Sequence, residues 1–207
     1  MTRLARVLAA AVLATPTLAL AQAAGYDIDP AHTVSSFTVK HLVISTVRGE
    51  FGKTTGAAVF DDKDPSRSSV TATIDAASIN TRVEQRDTHL KSPDFFDTAK
   101  YPTLTFKSTK VEKAGEGKYK VTGDLTIKGT TKSVVLDVTG PTAEIKDPWG
   151  NARRGFAATT QINRKDFGLN WSKMIEAGPV VGDDVKIEID GELVKQAPAV
   201  QPAKAAK

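Results

Sequence analysis

From Phe37 to Asp190 the chain alternates apolar and polar residues with a period of two. That spacing predicts half-buried β-strands, because successive side chains on a strand point to opposite faces. Phe37, Val39, His41 and Val43 fall on one face of a first strand. Val70, Ala72 and Ile74 alternate with Thr71, Thr73 and Asp75, as Leu104 and Phe106 do with Thr103, Thr105 and Lys107. Val121, Gly123, Leu125 and Ile127 form a further apolar face, followed by Val134, Leu136 and Val138. Val185, Ile187 and Ile189 alternate with Lys186, Glu188 and Asp190. With strands expected near 48–60 and 152–163, the count reaches about eight.

Turn signals fall between these runs at Asp64-Pro65, Gly115-Glu116-Gly117, Lys128-Gly129, Asp147-Pro148-Trp149-Gly150 and Gly182-Asp183. Connections this short make neighbouring strands antiparallel. Eight such strands fit an up-and-down barrel, which has no free edges and leaves room for one ligand, or a two-sheet sandwich. The alternation does not choose between them. One segment breaks the pattern. Residues 83–92 have helical spacing, with Val83, Arg86-Asp87 and Leu90 at offsets of three and four, and Pro93 stops the helix. Phe95 and Phe96 follow as adjacent aromatics in a loop. An insertion of this kind suits one end of a barrel, where it can plug or line the opening.

The two ends of the chain read differently. Residues 1–21 combine Arg3 and Arg6, a short apolar core at Leu8–Leu13, Pro16 and an Ala19-Leu20-Ala21 cleavage site, which is the pattern of a secretory signal peptide. No later stretch approaches the ~18 apolar residues of a membrane span, so a soluble exported protein without a stable membrane anchor is expected. Residues 22–195 make one domain of sufficient length for a sizeable core. The tail at 196–207 is rich in Ala, Pro and Lys without apolar period and reads as disordered. The formal charge of +4 falls to +2 when Arg3 and Arg6 leave with the signal. The remaining charges are interspersed, which argues against nucleic acid as a partner. There are no cysteines, so disulfides, thiolate metal sites and cysteine nucleophiles are excluded.

Candidate chemistry is sparse. Gly52-Lys53-Thr54 lacks the glycine that a phosphate loop requires five positions earlier, where Val47 stands. No G-x-S-x-G or H-E-x-x-H motif occurs. His32 and His41, nine residues apart, would face opposite sides of a continuous strand, so no metal site is expected from them. His41, on the apolar face, reads as an interior histidine or a ligand contact. Arg86, Asp87 and His89 can anchor the insertion to the barrel rim, contact a ligand headgroup, or act as acid and base. The first two point about 100° apart on a helix, so each is expected to pair elsewhere. The aromatics Phe37, Phe51, Phe60, Phe95, Phe96, Phe106, Phe156, Phe167, Trp149 and Trp171 are more than a tightly filled barrel needs. They suggest an apolar cavity lined by alternate strand residues and roofed by Phe95 and Phe96.

Arg86-Asp87-x-His89-Leu90, Asp94-Phe95 and Thr98-Ala99-Lys100-Tyr101-Pro102 resemble the signature segment of the YceI-like family of periplasmic polyisoprenoid-binding proteins. Asp147–Gly150 and Asn163-Arg164-Lys165-Asp166-Phe167-Gly168 add to the resemblance, which runs from about Tyr26 to Val194. It implies a mainly β fold, an eight-stranded antiparallel lipocalin-like barrel with the short helical insertion. It also implies a periplasmic location and, as ligand, a long-chain isoprenoid or related amphiphile such as a quinone tail or a fatty amide. The residues expected to bind it are Phe37, Val39, His41, Phe51, Phe95, Phe96, Phe106 and Trp171 in the cavity, with Arg86, Asp87 and His89 at the headgroup. Burying roughly forty carbons at ~0.8 kcal/mol each is worth ~32 kcal/mol from water, yet affinities saturate near ~20 kcal/mol and free lipid rests in a membrane. A carrier of a lipid class, with no other cofactor and no catalysis, fits those magnitudes. The alternatives are a lipid-modifying enzyme on the same barrel and a filled-barrel, stress-related interaction protein. A homodimer stays open as an assembly.

Overall fold

The structure, a computed structural model, describes residues 23–197; the signal sequence and most of the tail expected above lie outside them. The strands in chain order are β1 (Ala24–Ile28), β2 (Val34–His41), β3 (Ser45–Phe51), β4 (Thr54–Phe60), β5 (Ser69–Asp75), β6 (Ile79–Asn80), β7 (Thr103–Gly115), β8 (Lys118–Ile127), β9 (Thr130–Thr139), β10 (Ile145–Lys146), β11 (Ala152–Asn163), β12 (Met174–Ile175), β13 (Gly178–Pro179) and β14 (Val181–Lys195). One α-helix, α1 (Glu84–Lys91), lies between β6 and β7.

Eight staves close into an antiparallel up-and-down barrel, which decides between the two architectures left open by the alternation. Two staves are kinked pairs of strands. β1 and β2 both pair along the same edge of β14, Tyr26 opposite Lys195 and Val34 opposite Asp190. Likewise β3 pairs with β2 while β4 pairs with β1, so the strand expected over 48–60 is broken at Gly52-Lys53. The meander continues through β4, β5, β7, β8, β9 and β11. It closes where β11 meets the other edge of β14, from Arg153 opposite Val194 to Asn163 opposite Asp184.

Several expectations shift by a residue or a turn. The first strand stops at His41. Leu42 and Val43 turn over with φ of 52° and 66°, so Val43 leaves the apolar face and is exposed. His32 lies in a turn between β1 and β2, not on a strand continuous with His41, and bonds Asp29 at 2.9 Å. The helix begins one residue later and ends one earlier than its spacing predicts. Gln196, assigned to the tail, is tied to β1: its N–H donates to the Gly25 carbonyl at 2.9 Å and its amide to Asp27 at 2.7 Å.

One end of the barrel is clasped by ions. Arg153 on β11 donates to Asp147 at 2.8 Å, to Glu192 on β14 at 2.8 Å, and to Asp29 between β1 and β2. The clasp thus joins both strands of the closing seam to the kink of the first stave. Asp29 and His32 stand near Glu192 as three metal-ligand types would, but the guanidinium already occupies the space between the carboxylates. Hydrogen bonds from Arg153 and then His32 hold the Asp29 carboxyl at about 2, and Arg153 also holds Asp147 well below the carboxylate range.

A depressed carboxylate adds stability above its unfolded pKa, near 3.8, and loses it as pH falls through the folded value. The melting temperature should therefore drop between about pH 4 and pH 2. Thermal melts of Arg153→Gln should start lower at pH 7 and show a weaker acid drop, since the carboxylates no longer have a cation to lose.

Candidate functional site

The barrel is hollow, and every stave contributes to the wall of the cavity. Leu104, Phe106, Val111, Val121, Leu125 and Ile127 on β7 and β8 point inward and are fully buried. Val134, Leu136 and Val138 on β9, and Val185, Ile187 and Ile189 on β14, also point inward by alternation, yet remain only half-buried. Their outward neighbours Ser133, Asp137, Lys186 and Glu188 are exposed to solvent in the ordinary way. Inward apolar side chains that keep accessible surface face empty space, and they wall a cavity of about 260 Å³.

Two glycines make room for the rings across this wall. A Cβ on Gly49 would stand 2.4 Å from the Phe37 ring, and one on Gly123 would stand 2.4 Å from the Phe106 ring. Neither glycine announced itself in the alternation, where Gly123 merely filled an apolar slot. Several of the polar side chains reaching the wall have partners within the protein. The Ser35 and Thr54 hydroxyls bond each other at 2.9 Å. Arg164, nine-tenths and more buried, donates to the carbonyls of Gly182 at 2.8 Å, Trp171 at 2.9 Å, Val181 at 3.2 Å and Leu169, and to Asp183 at 3.1 Å. Burial pulls its pKa below the usual guanidinium value, with Asp183 opposing. Sequence reasoning quoted Arg164 within a segment but gave it no task; here it fastens the loop between β11 and β14.

The insertion roofs the end nearest the start of β3 and β7. Strand β6 hooks onto β3, with Ile79 opposite Phe51 and Asn80 opposite Glu50. Thr81 follows, and both helix charges turn back to it. Asp87 accepts from the Thr81 N–H at 2.9 Å and from its hydroxyl, while Arg86 Nε donates to that hydroxyl at 2.7 Å and its Nη2 to the Thr81 carbonyl at 2.8 Å. The two neighbours thus share one partner, although they point apart on the helix. His89 Nε2 lies 2.8 Å from Asp94 Oδ2, and its ring meets Phe95 and Trp171 edge-on at 5.1 and 5.0 Å. Phe96 stands edge-on to Phe51 at 5.6 Å.

Of the residues expected to contact a ligand, Phe37, Val39, Phe51, Phe95, Phe96 and Phe106 lie on the cavity wall. His41, Trp171, Arg86, Asp87 and His89 lie off it. Trp171 packs on the outer side of the roof against His89 and Phe95, and His41 sits where β2 ends. Trp149 is 79% exposed on its turn, and Phe167 is buried in the core, so neither aromatic borders the hollow. Leu90 was read only as a helix-spacing residue, yet it reaches the wall beside Phe95 and Phe96.

This hollow barrel with a helical roof has close counterparts. Residues 26–193 match the YceI-like domain. The chain belongs to the YceI-like family. A UPF0312 protein of Photorhabdus laumondii is 41% identical over 184 residues, covering 88% of this chain and 93% of the relative. The crystal structure of Burkholderia cenocepacia BcnA is 29% identical with a TM-score of 0.69, covering 82% of this chain and 99% of that one. A polyisoprenoid binding domain from Saccharophagus degradans shares the fold at 16% identity and a TM-score of 0.59, over 84% of this chain and 100% of that one. In YceI-like terms, the segment Arg86–Pro102 that carries the family resemblance is the roof of the cavity and its fastening.

Removing the fastening should loosen the roof before the barrel. Asp87→Ala deletes a charged acceptor of two hydrogen bonds and should cost about 1–3 kcal/mol in denaturant melts. Amide exchange should accelerate over residues 81–98 while β7 and β8 keep their protection. Uniform acceleration across the barrel would show that the roof is not a separate unit.

Proposed function

We propose that this protein is exported and binds a long-chain isoprenoid or related amphiphilic lipid inside the barrel, sequestering or carrying it without covalent chemistry. The observation that carries the reading is the hollow itself. Inward apolar residues from all eight staves wall a cavity of about 260 Å³, and a filled-barrel interaction protein would have no cause to leave it so. The family and the fold shared with a polyisoprenoid binding domain support the ligand class. The wall is almost wholly apolar, so the chain interior of the ligand meets apolar surface and any headgroup lies outside the cavity.

At about 260 Å³ the cavity stands just below the ~300–1,000 Å³ typical of small-molecule pockets. A forty-carbon chain exceeds that. A ligand of such length has to emerge at an end, or the Phe95–Phe96 roof has to lift. Discrimination between chain lengths should be weak, since one methylene is worth only ~1–3 kcal/mol even in a good pocket.

Organic extraction of natively folded protein, followed by mass spectrometry, should release a lipid with a long apolar chain. Phe96→Ala, on a half-buried roof residue, should lower the lipid recovered per mole with little change in the denaturant midpoint. Phe95→Ala should lower both, because truncating a buried phenylalanine costs ~3–5 kcal/mol. Extracts with no lipid at any growth stage would remove the proposal.

Export rests on the sequence of residues 1–21 alone. The mature chain should begin near Gln22, and its intact mass from a periplasmic fraction checks this. A mass retaining Arg3 and Arg6 in a membrane pellet would contradict it.

A further inference from the structure

Ten large apolar residues are substantially exposed among the described residues, and four of them share one spot: Val43 at 56%, Ile44 at 83%, Met174 at 74% and Ile175 at 44%. Two hairpins bring them together. The β2–β3 turn carries Val43 and Ile44, and the small β12–β13 hairpin carries Met174 and Ile175. The hairpins are joined by the Leu42 N–H, which donates to the Val180 carbonyl at 2.9 Å, and Val43 packs against Gly178. Single exposed apolar residues are ordinary on any protein; a contiguous group on two projecting tips is not.

The position of the tips gives them a purpose. They continue the barrel wall at its roofed end. Val39 on the wall is two residues from His41, which pairs with the wall residue Val181, and the chain turns over immediately beyond. On the other tip, Trp171 leads into Met174 and packs on the roof residue Phe95 at 5.3 Å. The turn is also built at a cost, since Val43 is β-branched and holds φ at 66°, a region such residues avoid.

Charge selects the occupant. Lys40 precedes one tip and Lys173 the other; both are exposed, and among the described residues neither forms an ion pair. Of the nearby acids, Asp183 is engaged by Arg164 and Lys165, and Glu176 is the one carboxylate between Met174 and Pro179, while Glu50 and Asp184 lie farther along β3 and β14. Apolar tips flanked by free lysines complement an anionic lipid surface, where the side chains enter the acyl boundary and the ammonium groups stay at the headgroups.

We infer that the paired tips Val43-Ile44 and Met174-Ile175 dock the roofed end of the barrel onto an anionic membrane surface, presenting the cavity to the bilayer that holds its ligand. This rests on the lipid-carrier reading for its purpose, but its test does not.

Purified full-length mature protein is floated with vesicles of phosphatidylglycerol and phosphatidylethanolamine, and separately with phosphatidylcholine alone. Wild type should float with the anionic vesicles and release as salt is raised. Ile44→Asp/Met174→Asp, which touches no cavity residue, should reduce the bound fraction at least tenfold while keeping the wild-type melting temperature. Val135→Asp, an exposed apolar site on the outer face of β9, should float like wild type. Docking is overturned if wild type does not float, if the tip variant floats equally well, or if the tip variant instead abolishes a dimer seen by sedimentation. Lipid extraction on the same samples separates the two readings: flotation without extractable lipid keeps docking and removes the carrier, and extractable lipid without flotation does the reverse.

Discussion

Everything in this molecule depends on β14 being hydrogen-bonded along both edges. One edge takes β11 over eleven consecutive pairs, from Arg153–Val194 to Asn163–Asp184; the other takes β2 and then β1. A sheet of eight staves has two ends, and an open end is a row of unpaired amides and carbonyls that invites further strands. Here the last stave finds the first, so no such row remains along the seam. Closure also fixes the interior diameter. Eight strands leave a lumen that side chains can fill only if they are chosen to fill it. Here the inward side chains of all eight staves, mostly medium-sized Val, Leu and Ile, stop short of the axis. The hollow therefore follows from closure together with side-chain volume.

The seam needs support where the first stave is kinked, because β1 and β2 meet β14 in registers that do not match across the turn. Arg153 stands at that break, on the strand that flanks β14 from the other side, and reaches carboxylates on three different segments. A surface ion pair contributes little alone, whereas a network around one guanidinium, with Asp147 and Arg153 largely shielded, holds geometry as well as charge. The other end is held differently. Arg164 is saturated mainly by backbone carbonyls, so it fixes a loop's path and needs little countercharge. One arginine closes the barrel and the other shapes the end that carries the tips.

Alternation exposed the staves because each has one wet and one apolar face. The eight strands, their antiparallel order and the helical interruption were all legible, and the family segment located the roof. What alternation could not show was where a strand bends without changing face. The break at Gly52-Lys53 keeps the chain extended overall, so the strand expected over 48–60 runs on past it, and β1, which precedes Phe37, was not among the expected strands. Nor does it show how much surface an inward position keeps: Leu125 and Leu136 look alike in sequence and both border the cavity, yet one is buried and the other half-buried. That difference belongs to the tertiary sum of volumes. Charges were hardest of all. Arg86 and Asp87 point apart on a helix, and only the return of the chain through Thr81 gives them a common partner. Arg153 and Arg164 received no role because their partners lie far away in sequence or are backbone carbonyls.

A barrel with a cavity of about 260 Å³ has given up packing that a solid core would provide, since atoms facing a void forfeit their dispersion contacts. On the carrier reading those contacts return when an apolar chain enters the cavity, so a bound lipid would act as the missing part of the core. A ligand that binds only the folded state stabilises it by mass action, about 2.7 kcal/mol at a hundred times its dissociation constant. The roof is the element most sensitive to this exchange. Phe95 and Phe96 touch the hollow from above, while the helix behind them buries none of its own residues and hangs by Thr81. Occupancy thus adds contacts to a segment whose own attachment is slight. On that reading, filling the cavity would add contacts to the roof from below, where Arg86 and Asp87 fasten it through Thr81 and His89 bonds Asp94.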